Sequence, residues 1–287
     1  MMPIRFLRPE LEKLDTRLRA ASAMRGAEVS IDASAWELAY ASSRYTAASK
    51  DLYPGVLLPY LAKHAPTPAS ILYMGGGSGI AIIPLATAGY DVTVLMPAAG
   101  GLKLVHEEAK AAGVAERLSY VCGYAADAGA FGEAAFDAVV AVHSIRVEKD
   151  LRSVLAALLR VTRKALCFDV VSRHGFLVGR MPGGYAYTAG FTPASMLHVL
   201  AEHETPGGRP SRHEQYPLYS FDETAQLARE AGLHVDEVMP VDYHAVFQWE
   251  AGSDEAAEAA LVRRMREDEV LRELGMGYLV LGRKPAA

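Results

Sequence analysis

Apolar residues at Leu11, Leu14, Leu18 and Ala21 recur at spacings of three and four, which places them on one face of a helix. A polar turn near Glu28 to Ser34 follows, then a second apolar-periodic segment around Trp36, Leu38, Ala39 and Tyr45. A third carries Tyr53, Val56, Leu57, Tyr60 and Leu61, and Pro66 and Pro68 stop it. The period then changes. Ser70 to Met74, Asp91 to Met96, Leu118 to Cys122, Phe136 to Val142 and Ala165 to Val171 are short apolar runs of the kind expected for strands buried on both faces. Helical spacing separates them at Ile80 to Ala88, Gly101 to Ala112 and Asp150 to Val161. This alternation predicts a parallel sheet covered by helices on both faces, with ligands binding beyond the carboxyl ends of the strands.

Residues 173–219 break the alternation, being rich in Gly, Pro, Tyr, His and Arg. They are expected to form an irregular lid with one helix near Pro193 to Glu202. Regularity resumes with a helix through Phe221, Ala225, Leu227, Ala228 and Ala231, with Ser220 as N-cap and Gly232 at its end. A long, broken strand over His234 to Pro240 and Tyr243 to Trp249 is expected next. An amphipathic helix over Asp254 to Leu274, with Ala257, Leu261, Met265 and Leu271 inward, precedes a last strand over Gly277 to Gly282.

Composition narrows the function classes. The chain has 287 residues, 51% of them hydrophobic, and a formal net charge of −5. It is too apolar for a disordered chain, and it lacks the basic footprint of a general nucleic-acid binder. Cys122 and Cys167 are the two cysteines, which excludes a disulfide framework and a Cys-rich zinc site and points to a reducing cytoplasm. The N-terminus is charged within ten residues and has no apolar core of a signal peptide. No run approaches the ~18 apolar residues that a membrane-spanning helix needs. His198, His203 and His213 stand near Glu202, Glu204 and Glu214, but their spacings match no metal-ligand signature. No G-x-S-x-G elbow is present, which disfavours a hydrolase.

The 25 glycines are unevenly placed, and the densest cluster directly follows the first strand: Gly75-Gly76-Gly77-Ser78-Gly79. Glycine there lets a nucleoside approach the backbone and lets the chain reverse tightly into the next helix. Ile71 to Gly79 resembles the first motif of class I S-adenosylmethionine (SAM) methyltransferases, with Gly75, Gly77 and Gly79 at the three glycine positions. A dinucleotide fingerprint would need a third glycine three residues after its second, and the spacing fits less well. Phe136-Asp137-Ala138-Val139-Val140 resembles the family's fourth strand, Ala231-Gly232-Leu233 its turn before strand six, and Tyr278 to Lys284 its closing strand. His213 to Tyr219 is similar to a segment of some small-molecule members, so the resemblance spans about residues 45–284.

The resemblance implies an α/β, Rossmann-like class I methyltransferase fold: a seven-stranded, mostly parallel sheet with an N-terminal helical cap over residues 1–65. A catalytic domain over 66–287, with a lid inserted at about 173–219, completes it. It implies SAM as cofactor and methyl transfer to a hydroxyl, amine or carbon of a small molecule. Nucleic acid and membrane are not expected as partners, and the N-terminal helices would suit the capping of a second subunit in a homodimer. Three positions depart from the pattern. Tyr73, Met96 and Tyr124 stand where the family usually carries acids, with Asp127 three residues after Tyr124. Loss of a charged hydrogen bond to the ribose diol costs about 1.5–3 kcal/mol of binding. Two further readings therefore stay open. One is a non-methylating SAM enzyme, by aminocarboxypropyl transfer or intramolecular SAM cyclisation, releasing methylthioadenosine. The other is a methyltransferase-like binding protein without catalysis.

Candidate site residues follow. Gly75, Gly77, Gly79, Met96 and Tyr124 would line the cofactor, and Arg44, Tyr45 and Tyr53 in the preceding helices would cover it, an aromatic face beside the sulfonium adding a cation–π contact. His143, after strand four, is a candidate general base or a strand-end histidine tied to backbone. Arg173, His174, Tyr185 and Tyr187 open the lid at the mouth, where His174 and Tyr185 are further catalytic candidates; the alternative for all four is a solvated loop.

Overall fold

The computed structural model of this chain describes residues 11, 13–17, 47–75, 81–96, 99–146, 148, 150–178, 186–191, 197–202, 213–241, 260 and 263–285. Helix α1 spans Ala47–His64, and β1 spans Ser70–Met74. They are followed by α2 (Ile82–Thr87), β2 (Asp91–Met96), α3 (Ala99–Ala111), β3 (Leu118–Cys122), β4 (Phe136–Ala141), α4 (Leu151–Val161) and β5 (Thr162–Ser172). Helix α5 (Arg173–Val178) leads into β6 (Ala186–Phe191), β7 (Leu197–Glu202) and β8 (His213–Tyr219). Helix α6 (Phe221–Glu230), β9 (His234–Val241) and β10 (Gly277–Arg283) complete the described elements.

Strands β3, β2, β1, β4 and β5 lie side by side in that order and pair in parallel. Beyond β5 the direction reverses, because β10 pairs antiparallel with both β5 and β9. These seven strands form the sheet that the sequence resemblance implies. Period-two alternation divides β1 between two cores. Ile71 and Tyr73 pack with Leu57 and Leu61 of α1, Leu85 of α2 and Val105 of α3. Leu72 and Met74 face the other way, towards Leu155 and Leu158 of α4 and towards Leu11 and Leu14 of the N-terminal helical segment. Helix α4 buries Leu151, Val154, Leu155, Leu158 and Leu159, and the Asp150 side chain caps it by accepting from the Ser153 N–H at 3.1 Å.

The lid differs from its expectation. The segment 197–202, expected to be helical with its neighbours, is strand β7. It pairs antiparallel with β6 on one side and β8 on the other. Six apolar-leaning residues carry no decisive period, and two hydrogen-bonded neighbours decide the conformation. Strand β8 then joins β5 in parallel through Val171–Leu218 and Ser172–Tyr219. Strand β10 occupies the other side of Val171, so the lid attaches on the side of β4, beyond where β4 stops.

The helix expected over Asp254 to Leu274 is interrupted. Residues 263–267 are helical with Met265 buried, and the Asp268 carboxylate then accepts from the N–H groups of Val270 and Leu271 at 2.9 and 3.0 Å. An aspartate that captures backbone donors in this way ends one helix, and the 3-10 helix Leu271–Leu274 begins at the second of those donors. The segment expected over Trp36 to Tyr45 and the continuation of β9 over Tyr243 to Trp249 lie outside the described residues. No helix among the described residues is long and apolar enough to cross a membrane.

Candidate functional site

The carboxyl ends of β1 and β4 touch. Gly75, directly after β1, has φ +131°, and a Cβ there would fall on the carbonyl oxygen of Val142. Ser144 lies next to the same point, with its Cβ at 3.4 Å. Only glycine satisfies both the backbone angle and the contact. The chain leaving β4 is itself unusual, because His143 adopts φ +56°, a left-handed conformation rare outside glycine. Asp169 of β5 holds it there: its Oδ1 accepts the His143 backbone N–H at 2.9 Å. Its Oδ2 accepts from Arg146 Nε and Nη2 at 2.9 and 2.5 Å. Asp169 is fully buried, and such a charge is tolerated only when paired and hydrogen-bonded. Arg146 reaches it by lying against Gly277 of β10, where a Cβ would come within 2.9 Å of Nη2.

The His143 ring is a different matter. Its Nδ1 stands 3.9 Å from Asp169 Oδ2, beyond hydrogen-bond distance, and a quarter of the side chain is exposed. Asp169 thus fixes the His143 backbone, while the imidazole is not oriented by it.

Tyr73 lies in β1, Met96 ends β2 and Tyr124 follows β3. Tyr73 and Met96 are core residues, 5% and 1% exposed, on the side of the sheet covered by α1 to α3. Tyr124 precedes the 3-10 helix Ala125–Ala130, and the Asp127 carboxylate turns back to accept the Tyr124 N–H at 2.9 Å. A further carboxylate comes from the N-terminal segment. Asp15, 7% exposed, accepts the Cys122 N–H at 2.7 Å. The next N–H, Gly123, bonds to Met96 of β2, so the Cys122 N–H points to the outer edge of β3. The backbone at Gly75, free of a Cβ, and the close approach of two strand ends fit a nucleoside held against backbone. Among the described residues, the end of β3 offers the carboxylates of Asp15 and Asp127.

A second group of polar side chains gathers at the exit of β5. His174 Nδ1 lies 3.0 Å from Glu273 Oε2. The same oxygen accepts from the Tyr278 hydroxyl at 2.6 Å, and Ser172 Oγ donates to that hydroxyl at 3.0 Å. Ser172 Oγ also accepts the Gly175 N–H at 3.1 Å. A Cβ at Gly175 would fall on the Gly275 carbonyl, so α5 packs directly on the backbone that carries Glu273. Arg173 is engaged elsewhere, donating to both Glu223 oxygens at 2.6 and 2.9 Å. Burial works to raise the Glu223 pKa, but the Ser220 N–H and Arg173 outweigh it and lower it. Arg173 therefore anchors α5 to the capped start of α6.

The structure brings Gly75, Met96, Tyr124, His143 and His174 to the carboxyl edge of the parallel strands. Tyr53 falls within α1 and Tyr187 within β6. Gly77, Gly79, Arg44, Tyr45 and Tyr185 lie outside the described residues. Sequence reasoning missed Asp15, Asp169 and Glu273. Asp169 had a signal, as the lone carboxylate in the apolar run Ala165 to Val171. Glu273 had none, since its partner is 99 residues away. An apolar groove of about 440 Å³, lined by Leu58, Pro59, Ala62, Pro66, Thr67, Ala88 and Tyr90, lies at the opposite, amino edge of β1 and β2.

Residues 72–165 match a family model described as a methyltransferase domain. Among solved structures, the CcbJ methyltransferase from Streptomyces caelestis is similar at 18% identity and a TM-score of 0.51, covering 83% of this chain and 90% of that one. A SAM-dependent methyltransferase from Clostridium acetobutylicum reaches a TM-score of 0.54 at 10% identity, covering 87% and 96%. The 4+2 cyclase SpnF is 16% identical with a TM-score of 0.51, covering 100% of this chain and 99% of that one. No curated protein matches the chain significantly.

Proposed function

We propose that this chain is a class I SAM-dependent methyltransferase and transfers a methyl group from SAM to a small molecule, a reading supported by the methyltransferase-domain match over residues 72–165 and by the shared fold. The observation that carries the reading is the contact of Gly75 with Val142, which joins the end of β1 to the His143 bend at the edge where such sheets bind ligands. Gly75, Gly77 and Gly79 would cradle the cofactor, Met96 and Tyr124 would flank it, and Tyr45 and Tyr53 would cover it. SAM supplies an already activated methyl group, so the protein's share is to hold the acceptor in line and exclude water. His143 and His174 stand on the two neighbouring strand exits from which a proton could be taken, and Tyr185, outside the described residues, is a third candidate. The enzyme acts in the cytoplasm, in keeping with Cys122 and Cys167, which are buried and form no disulfide.

Calorimetric titration with SAM and S-adenosylhomocysteine tests the reading, and saturable heat at micromolar ligand is expected. No heat at high micromolar concentration would sink it. A second reading is favoured by the burial of Tyr73 and Met96, which leaves the ribose without its usual partners. In it the aminocarboxypropyl carbon reacts instead. Incubation with SAM alone, followed by mass spectrometry, separates the two, because enzyme-dependent methylthioadenosine belongs only to the second. Binding with neither product in any acceptor screen would favour a non-catalytic binding protein.

A further inference from the structure

Resting on the methyl-transfer reading, we propose that Glu273 is the positioning carboxylate of a His174 general base, and that the acceptor is accordingly a hydroxyl that must lose its proton.

Two histidines stand at the carboxyl edge of the sheet beside a carboxylate, and their geometries differ. His143 Nδ1 is 3.9 Å from Asp169, too far for a hydrogen bond. His174 Nδ1 is 3.0 Å from Glu273 Oε2. A carboxylate accepting from Nδ1–H selects one tautomer and leaves the Nε2 lone pair for chemistry. Glu273 is itself held by the Tyr278 hydroxyl at 2.6 Å, from a residue wholly buried in the core. The Ser172 hydroxyl donates to the same phenol and its oxygen receives the Gly175 N–H, while α5 sits on the Gly275 backbone. Both partners of the His174–Glu273 pair are thus attached to a rigid frame, although the imidazole remains half exposed.

As a mere tie between α5 and the 3-10 helix the pair would contribute little. An exposed ion pair adds little stability, and the glycine–glycine contact already joins the two segments. A buried tyrosine and serine arranged to orient one carboxylate towards one histidine are better accounted for by proton transfer. The position agrees, because β5 adjoins β4, whose exit bears His143 and touches Gly75. In the step, the acceptor oxygen forms a bond to the methyl carbon while the carbon–sulfur pair stays on sulfur. The hydroxyl proton passes to His174 Nε2, Glu273 stabilises the imidazolium, and water later removes the proton. A tertiary amine has no proton to give up and would need no such base, and a primary or secondary amine attacks through its neutral lone pair, whereas a hydroxyl gains its nucleophilicity by losing its proton.

Long-range 1H–15N NMR of the full-length protein, with and without S-adenosylhomocysteine, reads the tautomer directly. The expected spectrum shows His174 protonated on Nδ1 and bare on Nε2, moving towards the Nε2-protonated form in Glu273→Gln. A wild-type Nε2–H tautomer, or one indifferent to Glu273→Gln, overturns the dyad. Turnover is read with simple phenols and aliphatic alcohols. His174→Gln is expected to lower kcat about 100-fold with S-adenosylhomocysteine affinity held within twofold, the size usual for loss of a general base. Unchanged kcat overturns the base. Methylation of carbon or tertiary amines with none of the hydroxyl compounds overturns the acceptor class. Failure to bind S-adenosylhomocysteine removes the methyl-transfer reading instead, and the tautomer measurement still decides the dyad.

Discussion

Asp169 shows how one residue can organise a site it does not enter. Its two oxygens hold a strained backbone turn at His143 and the guanidinium of Arg146, and it is fully buried. Replacing it with Asn leaves Arg146 without its counter-charge in a largely desolvated place. Breaking such a pair typically costs about 3–5 kcal/mol. Urea denaturation of Asp169→Asn is therefore expected to show a loss in that range, with part of it recovered in the Asp169→Asn, Arg146→Met double variant. A loss below about 1 kcal/mol would show that the pair is not buried in solution. Asp169 was visible as an anomaly in its own apolar run, but its partners were not, since His143 and Arg146 precede it by 26 and 23 residues. Gly75 was legible for the opposite reason: the contact that forbids a side chain there is written as a glycine. What the sequence could not show is that the forbidding atom is the Val142 carbonyl.

At the scale of elements, α1 is fastened to the far edge of the sheet by a charged cluster. Tyr60 of α1 donates to Asp236 of β9 at 2.8 Å, and Arg283 of β10 binds the same carboxylate through Nε and Nη2 at 2.7–3.0 Å. Arg283 above all, and Tyr60 after burial's opposing effect, hold the Asp236 pKa down to about 2 from 3.8. The folded form thus binds that proton less readily than the unfolded form. Its stabilising contribution is complete above about pH 4 and disappears as pH falls towards 2. Denaturation midpoints measured from pH 5 to pH 2 should fall more steeply for the wild type than for Asp236→Asn, and parallel curves would refute the linkage. Elements with a long, clean period were legible. β1, β2 and β3 begin and end where their apolar runs do, and α4 lies one residue inside its expected bounds. The lid was not, because β7 is made a strand by β6 and β8 rather than by its own composition. Asp268 falls inside the helix expected over Asp254 to Leu274 and interrupts it through its carboxylate.

Over the whole molecule, attachment is uneven. Strand β1 is paired along its length with β2 and β4, whereas the lid strands join the main sheet through two residue pairs between β5 and β8. Stability is therefore expected to be graded. In native-state hydrogen exchange, amides of β6 and β7 should exchange through openings that leave β1 and β4 protected, and equal protection throughout would contradict this attachment. Strand β10 raises a separate issue of timing. It follows every other described element in the chain, yet it lies between β5 and β9 and contributes Tyr278, Leu279 and Val280 to the interior. A nascent chain leaving the ribosome can assemble β1 to β5 as each appears. It must then keep β5 and β9 apart, with their inner edges open, until residue 283 has emerged. Chaperone occupancy during synthesis should accordingly persist until the last described strand is free of the exit tunnel.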